Sequence, residues 1–206
     1  MRRLLRRFIK DTSAASMVEM SLILPMFFIA AGGSIDFGYA FMQWNTAAKA
    51  VEAGARIAAV SNPVSSDLAN ATSLATLQSG ATPGAAFPYF IRVCNGATAS
   101  CSGGTYDAAA MSAIITGTAS RPGMGSFLAA IKTANVTVTY EETGLGFACR
   151  PGGPVPTITV QLQNITFNFL FLNLIPGIGP ITMPAMKTTM TGEDMSTGNT
   201  SPVTSC

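Results

Sequence analysis

The chain has 206 residues, of which 48% are hydrophobic and only 11% are charged. Soluble domains carry about 25% charged residues, so this composition, with a mean hydropathy of +0.38, is unusually apolar for a free cytosolic protein. The absence of histidine excludes Ser-His-Asp and Cys-His catalysis and every histidine-ligated metal site. The glycine-rich stretches lack the lysine of a phosphate-binding loop and the dinucleotide fingerprint. We therefore expect a protein that is not an enzyme and that has no cofactor or metal ion.

The net charge of +2 hides an uneven distribution of basic residues. Five of the twelve lie within the first ten positions, at Arg2, Arg3, Arg6, Arg7 and Lys10. Beyond residue 14 the chain has seven basic and nine acidic residues, a net charge of −2. Nucleic-acid binding requires a basic face that is distributed over a domain, so we expect no nucleic-acid partner.

This basic leader, residues 1–14, precedes an uncharged apolar run, Met20–Ile35, which is bounded by Glu19 and Asp36. On a helix that rises 1.5 Å per residue, the two carboxylates are about 26 Å apart, close to the ~30 Å hydrocarbon core of a bilayer. The run therefore predicts a transmembrane segment with one interfacial carboxylate at each membrane edge. More basic residues precede the segment than follow it, which places the N-terminus in the cytoplasm and exports the rest of the chain.

Helical periodicity continues beyond the apolar run. Apolar residues recur every three or four positions at Trp44, Ala48, Val51, Ala55 and Ala58, which is typical of a helix with one buried face. Because Asn62-Pro63 favours a helix end, we predict one helix over residues 15–60, transmembrane in its first half and kinked at Pro25. A cleaved secretory signal also begins with a basic stretch and an apolar run, but the continuing periodicity and the lack of a good A-x-A site argue against it.

Residues 61–206 are rich in Gly, Ala, Ser, Thr and Asn and predict a small exported domain. Alternating patterns predict antiparallel strands at Val136–Tyr140, Thr157–Asn168 and Ile181–Met190, with a bulge after Leu162. Helices are expected at Leu68–Leu77 with Asp67 near its start, from an Asp107 cap through Ile115, and at Ser126–Thr133, and a short strand or helix at Phe87–Val93. The predicted class is α+β, with the long N-terminal helix packed on a small antiparallel sheet with short helices.

Four cysteines suit an oxidising compartment such as the periplasm. They contain no C-x-x-C spacing, so neither a zinc nor a redox motif is indicated. Of the three possible pairings, local pairing favours Cys94–Cys101 and leaves Cys149–Cys206. The second bond would tie the polar tail, Thr191–Cys206, to the domain.

Three motifs lie along the predicted long helix: Ala14-Ala15-Ser16-Met17-Val18-Glu19-Met20, Leu22-Ile23-Leu24-Pro25, and later Ala53-Gly54-Ala55-Arg56. In this combination residues 11–60 resemble the TadE-like family, pilin-like proteins of tight-adherence (Tad) pilus machines with the pattern G-A-x-x-V-E-F-A-L-x-L-P and a later G-A-R. The resemblance implies that a prepilin peptidase cuts between Ala14 and Ala15, and that Glu19 neutralises the new terminal amine. Ala14 departs from the usual glycine before the cut, and Met20 departs from the usual aromatic residue after the glutamate.

The resemblance also implies a function and a location. The chain would be a minor pilin or pseudopilin that helps to start or cap a Tad-type pilus, with Glu19 setting the register between packed helices. Its partners would be the prepilin peptidase, other Tad pilins and pseudopilins, the inner-membrane assembly platform and the membrane itself. Two alternatives remain open: an uncleaved, periplasm-facing assembly component, and a membrane-tethered binding or adhesion module.

The apolar stretch Phe167–Ile181 is expected to pack in the core of the exported domain. The alternatives are that it packs on the membrane or on a neighbouring subunit.

Overall fold

The computed structural model describes residues 12–150, 153–192 and 195. Most of the predicted basic leader and most of the polar tail, including Cys206, lie outside the described residues. At Thr12, Ser13 and Ala14 only the helical backbone is described.

The described part of the chain starts with a long helix, α1, over Thr12–Ala59, which is 48 residues long. It continues through Pro25, which lies inside it. Within the apolar run the hydroxyls of Ser21 and Ser34 donate to the carbonyl oxygens of Val18 and Ala30, each at 2.8 Å. These bonds satisfy the hydroxyls within the helix, so neither interrupts its apolar surface with an unpaired polar group.

The main sheet is antiparallel and has five strands: β1 (Ile91–Asn95), β2 (Ser100–Cys101), β5 (Val136–Glu141), β6 (Thr157–Leu162) and β9 (Met186–Thr191). Their order in the sheet is β2-β1-β5-β6-β9. Alternate residues of β5 and β6 are buried, because successive side chains of a strand point to opposite faces. With the long helix and the short helices, this sheet confirms the predicted α+β class.

The short elements are the helices α2 (Ala71–Leu77), α3 (Ala108–Thr116) and α4 (Met124–Phe127), and the strand pair β3 (Gly117–Thr118) and β4 (Arg121–Pro122). The Asp107 cap is confirmed, since its Oδ1 accepts the backbone N–H groups of Ala109 and Ala110. The predicted Leu68–Leu77 helix is divided, because Asn70, and not Asp67, caps α2 after the 3₁₀ turn Ser66–Ala69. The prediction of a helix over Ser126–Thr133 is wrong, because α4 ends at Phe127 and a separate 3₁₀ turn follows at Thr133–Asn135.

The late strands are shorter than their sequence patterns predict. The predicted strand Thr157–Asn168 ends at Leu162, and the chain turns at Asn164, which has a φ of 59°. The slip in alternation therefore marks a strand end and not a bulge. A two-residue strand, β7 (Thr166–Phe167), then pairs with β8 (Ile181–Thr182). The predicted last strand is likewise divided, and only its second part, β9, joins the main sheet.

Cys94 and Cys101 are register partners on β1 and β2 and form a disulfide. The pairing expected from their short spacing is thus present. The bond between Cys149 and Cys206 stays a prediction, because Cys206 lies outside the described residues.

The chain divides into two compact units. Among the described residues, the first unit contains those up to Met42 together with Thr166–Ile181, and the second contains those of Gln43–Ile165 and those from Thr182 onward. The second unit holds the main sheet and a hydrophobic core that includes the C-terminal part of α1. Buried there are Ala47, Ala50, Val51, Ala55, Ile57 and Ala58 with inward side chains of the sheet.

Candidate functional site

The N-terminal part of α1 presents an extensive apolar surface. Large side chains of this segment are exposed at Met17, Val18, Met20, Leu22, Ile23, Leu24, Met26, Phe27, Phe28, Ile29, Ile35, Phe37, Phe41 and Met42. Continuous apolar surfaces of this size are rare on soluble proteins and mark contact with a membrane or with other proteins. Among the described residues, one helix, Ala15–Ala59, is long and apolar enough to cross a membrane.

Glu19 lies on this apolar surface with an exposed side chain. Ala15, the predicted first residue after cleavage, is also exposed and lies four residues earlier on the helix. Residues four apart on a helix are neighbours on one face, so a new amine at Ala15 would lie within one turn of the Glu19 carboxylate. Pro25 is exposed further along the same segment, and its ring is compatible with the unbroken helix.

The second carboxylate of the segment, Asp36, is bound by backbone groups from a distant part of the chain. Its side chain is fully buried and accepts three backbone hydrogen bonds. Leu170 donates to Oδ1 at 2.8 Å, and Phe171 and Leu172 donate to Oδ2 at 2.9 and 2.8 Å. Asp36 therefore holds the turn of the apolar stretch that follows β7.

Two glycines let this turn approach the helix closely. A Cβ on Gly32 would lie 2.8 Å from the Cβ of Phe171, and a Cβ on Gly33 would lie 3.5 Å from a methyl of Leu172. Gly32 and Gly33 precede Asp36 by four and three residues, so all three lie on one face of α1. This spacing is a signal that the sequence analysis missed: two glycines and a carboxylate, one turn apart, within an apolar run.

Aromatic side chains extend the same contact beyond Asp36. The ring of Phe37 lies 6.1 Å from that of Phe169, and the ring of Tyr39 lies 5.8 Å from that of Phe167. Phe167 and Phe169 contact each other edge to face at 5.2 Å, a geometry that aromatic pairs prefer. The stretch after β7 is thereby fixed to α1 by one carboxylate, two glycines and a set of rings.

Most of the stretch is nevertheless not core. Phe167 is buried, but Leu170, Phe171, Leu174 and Ile181 are exposed. The prediction that Phe167–Ile181 forms part of the core therefore holds for its start and is wrong for the turn. The turn therefore presents large apolar side chains at the surface of the described residues.

The later Ala53-Gly54-Ala55-Arg56 motif has a packing role in the second unit. A Cβ on Gly54 would lie 2.6 Å from Met124 Sδ, so the position admits only a hydrogen without repacking of α4. Ala55 is fully buried. Arg56 lies on the opposite, exposed side and pairs with Glu52 one turn earlier. Exposed pairs of this kind contribute little to stability, so the motif's main effect is close packing of the helix.

The described residues contain no cluster of metal-ligating side chains. Across residues 12–150, 153–192 and 195, no three His, Cys, Asp or Glu side chains lie close enough together to hold a metal ion. Of the three carboxylates of α1, Glu19 lies on an apolar surface. Asp36 accepts hydrogen bonds from a turn, and Glu52 forms an ion pair.

The long helix is similar to a known protein family. Residues 14–56 match the family model of TadE-like proteins. The predicted resemblance is thus confirmed over the segment that carries Glu19, Pro25, Asp36 and the Gly54 motif. No match was found among curated proteins or solved structures. This match supports the interpretation that the protein is related to the Tad pilus. The apolar helix supports the interpretation that the protein is anchored in a membrane.

Proposed function

We propose that this protein is a membrane-anchored minor pilin or pseudopilin of a Tad-type pilus. The first half of α1 spans the inner membrane with the N-terminus in the cytoplasm, and the domain after residue 60 lies in the periplasm. The observation that carries the proposal is the exposed apolar surface of the TadE-like segment, on which Glu19 lies. In the membrane this surface faces lipid, and in a pilus it packs against the N-terminal helices of other pilins.

Processing is the first step of the proposed function. A prepilin peptidase cleaves between Ala14 and Ala15 and releases an amine one helical turn before Glu19. An unpaired charge in an apolar environment is costly, so the Glu19 carboxylate and this amine neutralise each other, within one chain or between neighbours. That pairing favours one axial register between packed helices, and the inner-membrane assembly platform then adds the processed chain to its partner pilins.

Mass spectrometry of the membrane-extracted protein tests processing. The expected mature N-terminus is Ala15, and an Ala14→Gly variant should be cut at least as fast because the family pattern has glycine there. An Ala14→Leu variant should accumulate uncleaved, since a branched side chain replaces a small one at the cut. If the wild-type chain retains Met1 or Ser13, the protein is the uncleaved assembly component and not a pilin.

A Glu19→Leu variant tests the assembly step. Membrane insertion should be unchanged, because the span becomes more apolar, whereas piliation and cross-linking to partner pilins should fall strongly. Ser21→Leu is the matched control: it adds the same side chain two residues away on the exposed apolar segment and removes no charge. Normal piliation in the Glu19→Leu strain would contradict the proposed role of this carboxylate.

A further inference from the structure

The turn held by Asp36 is an exposed apolar element. We define the apolar loop as residues 170–181. It carries no charged residue, and neither does any position from 151 to 186. Leu174 is 81% exposed and Leu170 is 62% exposed, although both are large aliphatic residues. Water is an unfavourable environment for such a cluster, and the described part of the same unit supplies no cover for it.

The position of the loop along α1 is set by its contacts with the two glycines. Gly32 and Gly33 belong to the uncharged run Met20–Ile35, and they precede Asp36 by four and three residues. At 1.5 Å per residue the loop contacts the helix about 4.5 to 6 Å inside the predicted membrane edge. This range overlaps the depth of about 5–10 Å to which interfacial apolar elements enter the boundary between headgroups and acyl chains.

The hydrogen bonds of Asp36 make this depth possible for both partners. Backbone N–H groups at membrane depth need an internal acceptor, and a carboxylate there needs donors. Here the three N–H groups of Leu170, Phe171 and Leu172 meet the two oxygens of one buried carboxylate. These three N–H groups are thus satisfied on the helix side of the turn, while large apolar side chains such as Leu170 and Leu174 stay exposed.

We propose that the apolar loop inserts into the leaflet on the exported side of the membrane, beside α1. The proposal rests on the membrane anchoring proposed above. Lipid is the occupant that the structure favours, because the exposed loop is held against the apolar run at membrane depth and is free of charge. The anchor then has two parts, a spanning helix and a half-inserted loop, and Asp36 fixes the distance between them.

Depth-dependent quenching of tryptophan fluorescence tests the proposal in the full chain. Trp44 is the only tryptophan, so a Trp44→Phe background allows single-tryptophan variants at Leu174, Phe27 and Tyr89. All three side chains are more than half exposed. Each variant is reconstituted into vesicles of phosphatidylethanolamine and phosphatidylglycerol, with and without bromine on the acyl chains. Bromine quenches only nearby tryptophans.

The three positions separate failure of the loop proposal from failure of the anchor. Phe27→Trp reports the spanning helix. Tyr89→Trp is the aqueous control, because the Tyr89 hydroxyl donates to the Glu141 carboxylate at 3.2 Å, and a bilayer disfavours such a charged neighbour. We expect brominated lipid to remove most of the emission of Phe27→Trp and Leu174→Trp and little of that of Tyr89→Trp. Bromines near the headgroup end of the chain should quench Leu174→Trp more than bromines near the methyl end.

Quenching of Phe27→Trp without quenching of Leu174→Trp would overturn the loop proposal and leave the anchor intact. Absence of quenching at both positions would overturn the membrane anchor itself. If the emission of Leu174→Trp shifts to the blue only at high protein-to-lipid ratio and is not quenched, the loop packs against a second copy of the chain, and the lipid proposal is wrong.

Discussion

Replacement of Asp36 by alanine should release the apolar loop from the helix while leaving the rest of the fold intact. The substitution removes the acceptor of three backbone hydrogen bonds, at 2.8, 2.9 and 2.8 Å. Hydrogen bonds to charged groups contribute about 1.5–3 kcal/mol each. The lower end of that range applies here, because the side chains of Leu170 and Phe171 are exposed and water or headgroups can reach the freed N–H groups. The expected local loss is therefore about 4.5 kcal/mol.

An asparagine at the same position should have an intermediate effect. Its single oxygen can accept the two N–H groups that now share Oδ2, but its NH₂ group then faces the N–H of Leu170. One hydrogen bond and the contribution of the charge are lost, so we expect about half the effect of alanine. The order wild type, Asp36→Asn, Asp36→Ala would show that both the shape and the charge of the carboxylate hold the loop.

Hydrogen exchange of the loop amides, measured by mass spectrometry in nanodiscs, reports the loss of the hydrogen bonds to Asp36. Each 1.4 kcal/mol is a factor of ten, so Asp36→Ala should accelerate exchange at residues 170–172 by about a thousandfold. Asp107→Ala is the control, since it removes a carboxylate that accepts two backbone N–H groups at the start of α3. It should accelerate exchange in α3 alone. Loop exchange within a few-fold of wild type in Asp36→Ala would refute the role assigned to this carboxylate.

Gly32→Ala should loosen the apolar loop, because the added methyl would lie 2.8 Å from a loop side chain, whereas Gly38→Ala has open space and should leave loop exchange unchanged. Burial raises the pKa of Glu142 above its ordinary value of 4.5. The contribution of Glu142 to stability is therefore greatest below pH 4.5 and is lost as pH rises through the folded-state pKa. Glu142→Gln should reduce this loss of stability in thermal unfolding scans. Replacing Cys94 and Cys101 by alanine should lower the free energy of unfolding by about 2.5 kcal/mol on loop-closure entropy alone, measured in urea, and an unchanged midpoint would contradict this.

Local patterns predicted those elements whose stability depends on neighbours in sequence. The alternation of Val136–Tyr140 predicted β5 because one face of that strand is buried. The Asp107 cap and the Cys94–Cys101 bond were also predictable, since each joins residues no more than seven positions apart. Prediction failed where tertiary contacts divide a pattern, as when the strand from Thr157 ends at Leu162 and the chain turns instead of continuing.

The same distinction applies to the candidate site. Composition and periodicity alone determined that residues 15–60 form one long helix with an apolar first half. The TadE-like residues around Glu19 are readable because the motif is contiguous. The role of Asp36 was decided only by the tertiary structure, because its donors are 134 to 136 residues away. Those donors are backbone N–H groups, which every residue except proline possesses, so no side-chain pattern in the sequence identifies the segment that binds the carboxylate.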